Sequence, residues 1–422
     1  MKQKPTTLLS LTFTDSKTFH HFVIVVLSVS FQFFIFRNCF SNTIQNNCLP
    51  SALDSFDYAN RARVFLDSGF SQAFADGFRV PGYPLVISLF MILFGDYAFV
   101  ALRIFQVVIT ALTASMVYKA LNDSFSKLRS FCLSIFFSFL PSWYFAPLLL
   151  AESLTYFLCI CLVIVAIRVI KHKRFKNRDL IILCLLIVSA IYLKPNQILW
   201  IIPLFVLSNL IGDSKFLFSC LAAGIILACL VPWLFFVNAK NNSYFNLTTA
   251  SGGNLYIGTG MIMEYNDGPL SKAAIFWKVD PKNNLDDVVS GTDKLSSGHS
   301  NRIYAGKALE IWRERPIRQI GFGIAKILIA FSIWSDSIYS TTLGAIFLFS
   351  LIGSVYALSS NKSTQYGKHF CVLYLSFVSI LAVQAFVFQA DRRFVFPILI
   401  PTWLFLLELF GIKESKLRNF AE

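Results

Sequence analysis

Charged side chains are scarce in this sequence of 422 residues: they make up 14% of the chain, against 56% hydrophobic residues. The mean hydropathy is +0.62. So few polar side chains cannot cover the surface of a water-soluble globule, which excludes a soluble enzyme that follows a cleaved signal peptide. The composition predicts an integral membrane protein with several apolar spans.

Acidic residues are the scarcer charge type, with 23 Asp and Glu against 37 Lys and Arg and a net charge of +14. In a soluble domain, such an excess of cations would suggest binding to nucleic acid. Here six cations lie between Arg168 and Arg178, and apolar stretches flank this run on both sides. Cytoplasmic loops of membrane proteins concentrate Lys and Arg in this way, so topology explains the charge and no nucleic-acid partner is expected.

Metal-binding patterns are missing as well. Seven of the nine cysteines lie inside apolar runs, without the paired spacing of a zinc site, and the five histidines form no such spacing either. The other two cysteines, Cys39 and Cys48, fall in a polar stretch that we place outside the cytoplasm. A disulfide between them could persist there, and two unpaired thiols are the equal alternative. The sequence therefore establishes no cofactor, and a divalent metal held by carboxylates stays an open alternative.

Eleven apolar stretches are long enough, or nearly so, to cross a bilayer, which predicts an all-α polytopic bundle. The first stretch follows Lys2, Lys4 and Lys17 without a small-residue cleavage site, so we expect the N-terminus in the cytoplasm. A further run, 85–94, is too short to span. Counting it as a crossing would move two basic loops outside, against the charge bias: the loop with Lys119, Lys127 and Arg129, and the loop from Arg168 to Arg178. We expect the run 85–94 to be re-entrant or interfacial. The eleven stretches are residues 20–37, 98–118, 131–150, 153–170, 180–193, 196–211, 216–237, 319–335, 341–358, 369–389 and 394–412.

Three parts of the chain follow from these spans. Residues 1–237 form a transmembrane core with a first outer loop, 38–97, in which 54–66 have the spacing of a short interfacial helix. Residues 238–316 form an extracytoplasmic loop or small subdomain, whose glycine-rich run SGGNLYIGTG is predicted to open no helix. Residues 317–422 form the C-terminal transmembrane helices. If all four of their apolar stretches cross, the basic tail KESKLR ends outside, against the charge bias; if one is interfacial, the tail ends inside.

Charged residues gather where the predicted helices meet the outer face. Charge beside an apolar segment is costly unless it is paired or used, and these residues combine acids with bases. Such a set suits a reaction in which a neutral nucleophile loses its proton to a carboxylate while Arg or Lys holds a departing phosphate. Solvated loop charges are the alternative for each residue taken alone. The residues are Asp54, Asp57, Arg61, Arg63 and Arg79 in the first outer loop, Glu152 between the third and fourth spans, and Lys194 between the fifth and sixth.

The run LDSFDYANRARVFLDSG, followed by FRVPGYPLVISLFMILFGD, resembles the first outer loop of GT-C glycosyltransferases of the dolichyl-phosphate-mannose protein mannosyltransferase type. Their superfamily includes the bacterial lipid A aminoarabinose transferase. The resemblance is dense up to about residue 120 and looser afterwards, where it rests on short runs such as LLLAESL, YLKP and DRRFVFPILIP. The matching positions of the dense part are Asp54, Tyr58, Ala62, Arg79, Pro81, Gly82, Tyr83, Pro84, Gly95, Arg103 and Gln106.

The resemblance implies a GT-C type helix bundle and an inverting enzyme that takes a sugar from a polyprenyl-phosphate carrier. The acceptor would be a lipid, glycan or protein on the outer face, and a bacterial plasma membrane is the expected location. The matched Asp of the first outer loop is the family's general base, which here is Asp54. Asp57 lies three residues away on nearly the same helix face, so it is either the base itself or a neighbour that tunes it.

Three cations are candidates for binding the donor phosphate. Arg79 comes first, because it closely precedes the short apolar run at the lipid boundary. Arg103 is a candidate phosphate ligand and, with equal weight, a candidate buried structural partner of a carboxylate. Lys194 stands where many relatives carry Arg, which puts a bidentate phosphate contact at that position in doubt.

Three further residues are predicted to line the donor and acceptor pocket, namely Tyr58, Tyr83 and Glu152. Glu152 has an equal alternative as an acid favoured by the dipole at a helix N-terminus. Two other classes of function compete with the transferase. A lipid-linked sugar transporter or flippase would need polar residues along a path through the bilayer, whereas intramembrane acids are scarce, Glu408 being the clear case. A catalytically inactive structural relative is the third hypothesis, and the intact site pattern counts against it.

Overall fold

The computed structural model describes residues 16–36, 53–145, 149–173, 175–211, 215–241, 247–260, 298–331, 338–360, 364–387 and 392–418. Within these ranges the chain is helical and contains no β-strand. A helix satisfies its own backbone hydrogen bonds, so an apolar chain forms helices where no water reaches it. The predicted all-α class is confirmed.

Sixteen α-helices lie in the described part of the chain. Two short 3-10 turns, Gly95–Tyr97 and Pro195–Trp200, precede the fifth and the ninth of them. The helices are α1 (Ser16–Phe36), α2 (Leu53–Ser68), α3 (Phe70–Ala73), α4 (Gly82–Phe94), α5 (Ala98–Leu121), α6 (Lys127–Phe145), α7 (Glu152–His172), α8 (Asn177–Leu193), α9 (Ile201–Ile211), α10 (Lys215–Asn241), α11 (Ser251–Gly260), α12 (Gly298–Glu314), α13 (Pro316–Ala330), α14 (Ile338–Ser359), α15 (Gln365–Val387) and α16 (Arg392–Arg418).

Length and apolar composition qualify five helical stretches of the described chain as membrane spans, and three shorter apolar helices accompany them. Each of the eleven predicted stretches overlaps a helix, while residues 37, 146–148, 332–335 and 388–389 of these stretches lie outside the described residues. A polytopic membrane bundle is therefore supported by both sequence and structure. The five stretches are Gly82–Leu121, Glu152–His172, Leu217–Asn241, Thr342–Ser359 and Gln365–Val387, and the shorter helices are Phe19–Phe34, Pro195–Ile211 and Pro397–Leu409.

The helix α4 is too short to cross a bilayer alone. Its 13 residues measure about 20 Å along the axis, against about 30 Å for a hydrocarbon core. After Gly95, whose φ of +51° lies in the left-handed region, the chain turns back into α5. The rings of Phe90 and Phe105 then lie 5.1 Å apart, and the Tyr83 hydroxyl donates to Gln106 Oε1 at 2.8 Å. These contacts support the prediction that the short apolar run is not a span of its own.

The main apolar core includes buried residues of α7, α8, α15 and α16. α7 and α16 run in the same direction, because Cys159 Sγ lies 3.9 Å from the Ile398 carbonyl oxygen and Lys171 Nζ lies 2.8 Å from Glu408 Oε2. Ser124, between α5 and α6, donates to the same carboxylate oxygen at 2.6 Å. The C-terminal half of α16 therefore lies at the end of the bundle that holds the two basic loops.

These contacts bear on the side of the membrane that holds the basic tail. The helix α13 has 15 residues and is not among the helices of the described chain that qualify as spans. Its Lys326 donates to the Gly258 carbonyl oxygen at 2.7 Å, which ties it to α11. Of the two arrangements that the charge pattern left open, the pairing of Lys171 with Glu408 favours a tail that shares a side with the other basic loops.

The glycine-rich run 251–260 forms the helix α11, so the prediction that it opens no helix was wrong. Glycine disfavours a helix by about 1 kcal/mol relative to alanine, but distant partners stabilise both ends of α11. Gly252 N donates to Asn301 Oδ1 at the start, and Gln319 Nε2 donates to Thr259 O at 3.0 Å at the end. These partners are 49 and 60 residues away along the chain, beyond the reach of local sequence patterns. The division of the chain at residues 237 and 316 stays a prediction.

Candidate active site

The helix α2 places the predicted catalytic acids on one face. Asp54, Asp57, Tyr58 and Arg61 are spaced three and four residues apart, which aligns side chains on a helix. The predicted short helix at 54–66 is confirmed, with bounds Leu53–Ser68. Tyr58 is buried, whereas both carboxylates are partly exposed. The helix is therefore anchored by its apolar side and presents its acids toward the chain that follows.

Arg79 lies between the two acids. Its Nε donates to Asp57 Oδ2 at 2.7 Å, and its Nη2 donates to Asp54 Oδ1. The guanidinium also lies over the rings of Tyr58 and Phe78, with its carbon 5.1 and 4.9 Å from their centroids. Burial by itself would lower the pKa of Arg79, but the adjacent Asp54, Tyr58 and Asp57 outweigh it and raise the pKa well above its ordinary value. The side chain stays a cation and is 24% exposed.

The remaining nitrogen of Arg79, Nη1, donates no hydrogen bond within the described residues. A guanidinium has three nitrogens, which carry five N–H donors in one plane. With Nε and Nη2 engaged, the edge that carries Nη1 is unused. This edge belongs to a cation that is already fixed by two carboxylates. An anion with an oxygen at hydrogen-bond distance would meet a preorganised donor there.

A second arginine extends the network. Arg61 Nε donates to Asp57 Oδ1 at 3.0 Å, and its two terminal nitrogens bind the carboxylate of Asp76 at 2.8 and 2.7 Å. Burial opposes the charge, but Asp76 and Asp57 raise the pKa of Arg61 above its ordinary value. Both oxygens of Asp57 are thus bound by arginines. Sequence reasoning noted Arg61 only as a loop charge and missed Asp76, whose signal was the Asp-Gly pair of a turn.

Beneath this network, Tyr83 connects the first outer loop to α5. It is fully buried, its ring meets that of Tyr58 edge-on at 5.1 Å, and it interacts electrostatically with Glu152 and Arg103. Arg103 is fully buried as well. A phosphate on a lipid carrier cannot reach Arg103 in this structure, so burial favours its alternative as a structural partner.

Glu152 and Lys194 form a buried ion pair at the same end of the bundle. Lys194 Nζ lies 2.7 Å from Glu152 Oε1, and the side chains are 8% and 2% exposed. Gly82 brings α4 up to this pair, because a Cβ there would collide with the backbone carbonyl of Tyr192. Glu152 is also the first residue of α7, as the helix-dipole alternative proposed. Lys194 is therefore engaged by a carboxylate and is not open to the lipid surface.

The site also contains a contribution from beyond α10 that sequence reasoning missed. Thr249 Oγ1 donates to the Asp76 carbonyl oxygen at 2.9 Å, and Thr249 N donates to the Gly77 carbonyl oxygen at 2.9 Å. Thr248 Oγ1 donates to the Phe78 carbonyl oxygen. Local sequence carries no signal for such contacts, because they join residues about 170 positions apart.

With this geometry, the comparison with known proteins becomes informative. Residues 79–236 match the family model of dolichyl-phosphate-mannose-protein mannosyltransferases. The resemblance predicted from sequence is confirmed. This family implies a membrane glycosyltransferase of the GT-C type. The matched segment begins at Arg79 and leaves Asp54 and Asp57 outside it, and no curated protein matches the chain.

Metal ligands and cysteines are the remaining predictions for this candidate site. Within the described residues, no group of three His, Cys, Asp or Glu side chains is placed to hold a metal ion. The carboxylates of the outer site are bound by arginines or lysine instead. Cys39 and Cys48 lie outside the described residues.

Proposed function

We propose that this protein is an inverting glycosyltransferase that moves a sugar from a polyprenyl-phosphate donor to an acceptor hydroxyl. The acceptor is a lipid, a glycan or a protein on the outer face of a bacterial plasma membrane. The observation that supports this proposal best is the placement of Arg79, which holds two carboxylates and keeps Nη1 unused within the described residues. A proton acceptor and an anion-binding edge thus belong to one rigid unit.

The reaction is a direct displacement. Asp54 accepts the proton of the acceptor hydroxyl while that oxygen forms a bond to the anomeric carbon of the sugar. The bond between the anomeric carbon and the phosphate oxygen breaks on the opposite side, and its electron pair leaves with the polyprenyl phosphate. One carboxylate is sufficient for such a step, and attack from the opposite side inverts the anomeric configuration.

Arg79 suits the movement of charge in this displacement. Asp54 loses its negative charge as it takes the proton, and the departing phosphate gains a negative charge in the same step. A guanidinium between the two groups pairs with ionised Asp54 before the step and with the departing phosphate after it, so it keeps an anionic partner without having to move far. Its raised pKa keeps it cationic throughout.

Asp54 is a better candidate for the base than Asp57. Both oxygens of Asp57 accept hydrogen bonds from arginines, Oδ1 from Arg61 and Oδ2 from Arg79. Asp57 therefore has a clear task in holding two arginines, whereas Asp54 is the acid that matches the general base of the family the sequence resembles. Asp57 instead fixes the orientation of Arg79. Tyr58 supports the same guanidinium from its ring face.

The other predicted residues have supporting roles in this proposal. Arg79 binds the donor phosphate, and Arg103 and Lys194 act from beneath the pocket, since both are buried. Tyr83 and Glu152 form the floor of the donor and acceptor pocket. A transporter is less well supported, because Glu408 is bound by Lys171 at the opposite end of the bundle from the acids of the site.

Transfer of a radiolabelled sugar from polyprenyl phosphates tests the proposal. Membranes containing the native chain are compared at matched expression with Asp54→Asn and with Asp67→Asn, an exposed acid of α2. Asn keeps the size of Asp but cannot act as a base, so we expect Asp54→Asn to lower transfer by about 10³-fold while donor binding persists. Asp67→Asn should match the native chain.

Two results would contradict this assignment. Native transfer by Asp54→Asn would remove Asp54 as the base. Movement of lipid-linked sugar across the bilayer by the native chain, without any transferred product, would replace the transferase with a transporter.

A further inference from the structure

The segment between α10 and α11 is fastened to the turn that precedes Arg79. Residues 247–250, here called the clamp, donate hydrogen bonds to three consecutive carbonyl oxygens, those of residues 76, 77 and 78. The clamp is itself fixed, since Trp233 Nε1 donates to the Leu247 carbonyl oxygen at 2.8 Å and Ala250 N donates to Thr248 Oγ1 at 3.1 Å. The bonds therefore join two well-anchored parts of the outer surface.

The turn itself is shaped to receive the clamp. Gly77 has a φ of +63°, a conformation that other residues adopt only with strain. A Cβ at this position would lie 2.9 Å from Val237 Cγ1 and 3.3 Å from Thr249 Cγ2. Asn241 Nδ2 donates to the Ala75 carbonyl oxygen at 3.0 Å, so the end of α10 holds the turn as well. The backbone of the turn has no room to shift toward α10 or the clamp.

The turn sets the position of the proposed phosphate ligand. Asp76 Oδ1 accepts a hydrogen bond from Phe78 N at 3.0 Å and also from Arg61. The Phe78 ring lies under the guanidinium of Arg79. Holding the carbonyl oxygens of residues 76–78 thus fixes both the backbone that leads into Arg79 and the ring on which its guanidinium rests.

We propose that Thr248 and Thr249 are positioning residues of the transfer reaction. They hold the turn so that Arg79 stays between Asp54 and Asp57, and they couple the outer segment after α10 to the catalytic base. This inference rests on the proposed function. The hydroxyls do not touch the reacting atoms, so their effect passes through the geometry of Arg79.

A steady-state assay on the purified chain separates positioning from mere stabilisation. Thr248→Val keeps the shape of the side chain and removes the hydroxyl, whereas Thr248→Ser keeps the hydroxyl. Thr259→Val is the matched control, because Thr259 is also buried and its hydroxyl also donates to a carbonyl oxygen, that of Tyr256 at 2.7 Å within α11. The probe is undecaprenyl-phosphate linked to the radiolabelled sugar that the native chain transfers.

We expect Thr248→Val to lower kcat by about tenfold or more, as small displacements of catalytic groups do. The KM for the donor and the thermal midpoint should stay close to native values. Thr248→Ser should recover kcat to within about twofold of native. The kcat of Thr259→Val should also stay within about twofold of native. Thr249→Val, which keeps its backbone bond to Gly77, is the second variant and should also lose kcat.

Native kcat in Thr248→Val and Thr249→Val would overturn the proposal, as would equal losses of kcat and thermal midpoint in Thr248→Val and Thr259→Val. Failure of Thr248→Ser to recover kcat would overturn it too. Asp54→Asn is assayed in parallel. If that variant retains full transfer, the proposed function fails at the base itself, and this outcome is distinct from a failure of the clamp.

Discussion

The two ends of the bundle both carry buried charge, but they use it differently. At the end that carries the candidate active site, Asp54, Asp57 and Arg79 are each about a quarter exposed and form a network with an unused donor edge. At the other end, Glu408 is 0% exposed and Lys171 is 29% exposed, and their ion pair joins α16 to α7. The first arrangement offers a donor edge to a ligand, whereas the second joins two helices.

This difference shows why an ion pair by itself does not mark an active site. A buried pair without access to a ligand contributes to the choice of one helix arrangement. A partly exposed pair with spare hydrogen-bonding capacity can act on an incoming anion. Changes at the first end should therefore affect activity, and changes at the second should affect stability.

The largest expected effect is an all-or-none difference in cysteine labelling. The experiment tests whether the two ends lie on opposite sides of the membrane. Single cysteines at Asn254 and at Ser415 are introduced into a chain whose nine native cysteines have been replaced. A maleimide that cannot cross the membrane should label position 254 in intact cells and position 415 only after lysis. Labelling of both positions in intact cells would place the basic tail outside and remove the contrast.

The next effect separates activity from stability. Arg79→Ala should lower transfer by about 10²-fold to 10³-fold, because a charged donor aimed at the transition state is lost. Lys171→Ala should leave kcat of the folded protein near native and lower the free energy of unfolding by about 3 kcal/mol, because Glu408 keeps an uncompensated buried charge. Transfer rates and denaturant midpoints of both variants are the measurements. A large kcat loss in Lys171→Ala would mean that the inner end takes part in the reaction.

A smaller effect is expected for the acid that supports Arg79. Asp57→Asn keeps one acceptor oxygen, removes the charge and replaces the second acceptor by an amide N–H group, so it can accept from only one of the two arginines. Arg79 should therefore be less well held, and kcat should fall by about tenfold. The loss in Asp54→Asn should exceed it by about 100-fold, since the base itself is removed there. Both rates are measured at saturating donor and acceptor. The reverse order would assign Asp57 as the base.

Much of this contrast was predictable from sequence, and the reasons are local. The spacing of Asp54, Asp57 and Tyr58 on one helical face follows from the helix period. The apolar stretches predicted the helices, and the side of the membrane that the basic run from Arg168 to Arg178 indicates stays a prediction. Such signals extend over a few residues, so a single sequence is sufficient to find them.

The rest depended on contacts between distant residues. The pairing of Glu408 with Lys171, the clamp of Thr248 and Thr249, and the helix at 251–260 all need partners far along the chain. The full burial of Arg103 also depends on such contacts, and the choice between its two roles stays a prediction. Tertiary contacts overrule local propensity at such positions, so the sequence alone could not reveal them.

The smallest expected effect is an absence of change with pH. Adjacent carboxylates raise the pKa of Arg61 and Arg79 in the folded chain. A raised pKa contributes stability that is fully present below the pKa of an unfolded arginine and is lost only as pH rises through the still higher folded value. The two arginines should therefore contribute no change in stability between about pH 6 and pH 9, and the difference in thermal midpoint between the native chain and Arg79→Gln should stay constant across that interval. A difference that disappears toward pH 9 would mean that Arg79 loses its proton there, and the outer network could not then hold a carrier phosphate as a permanent cation.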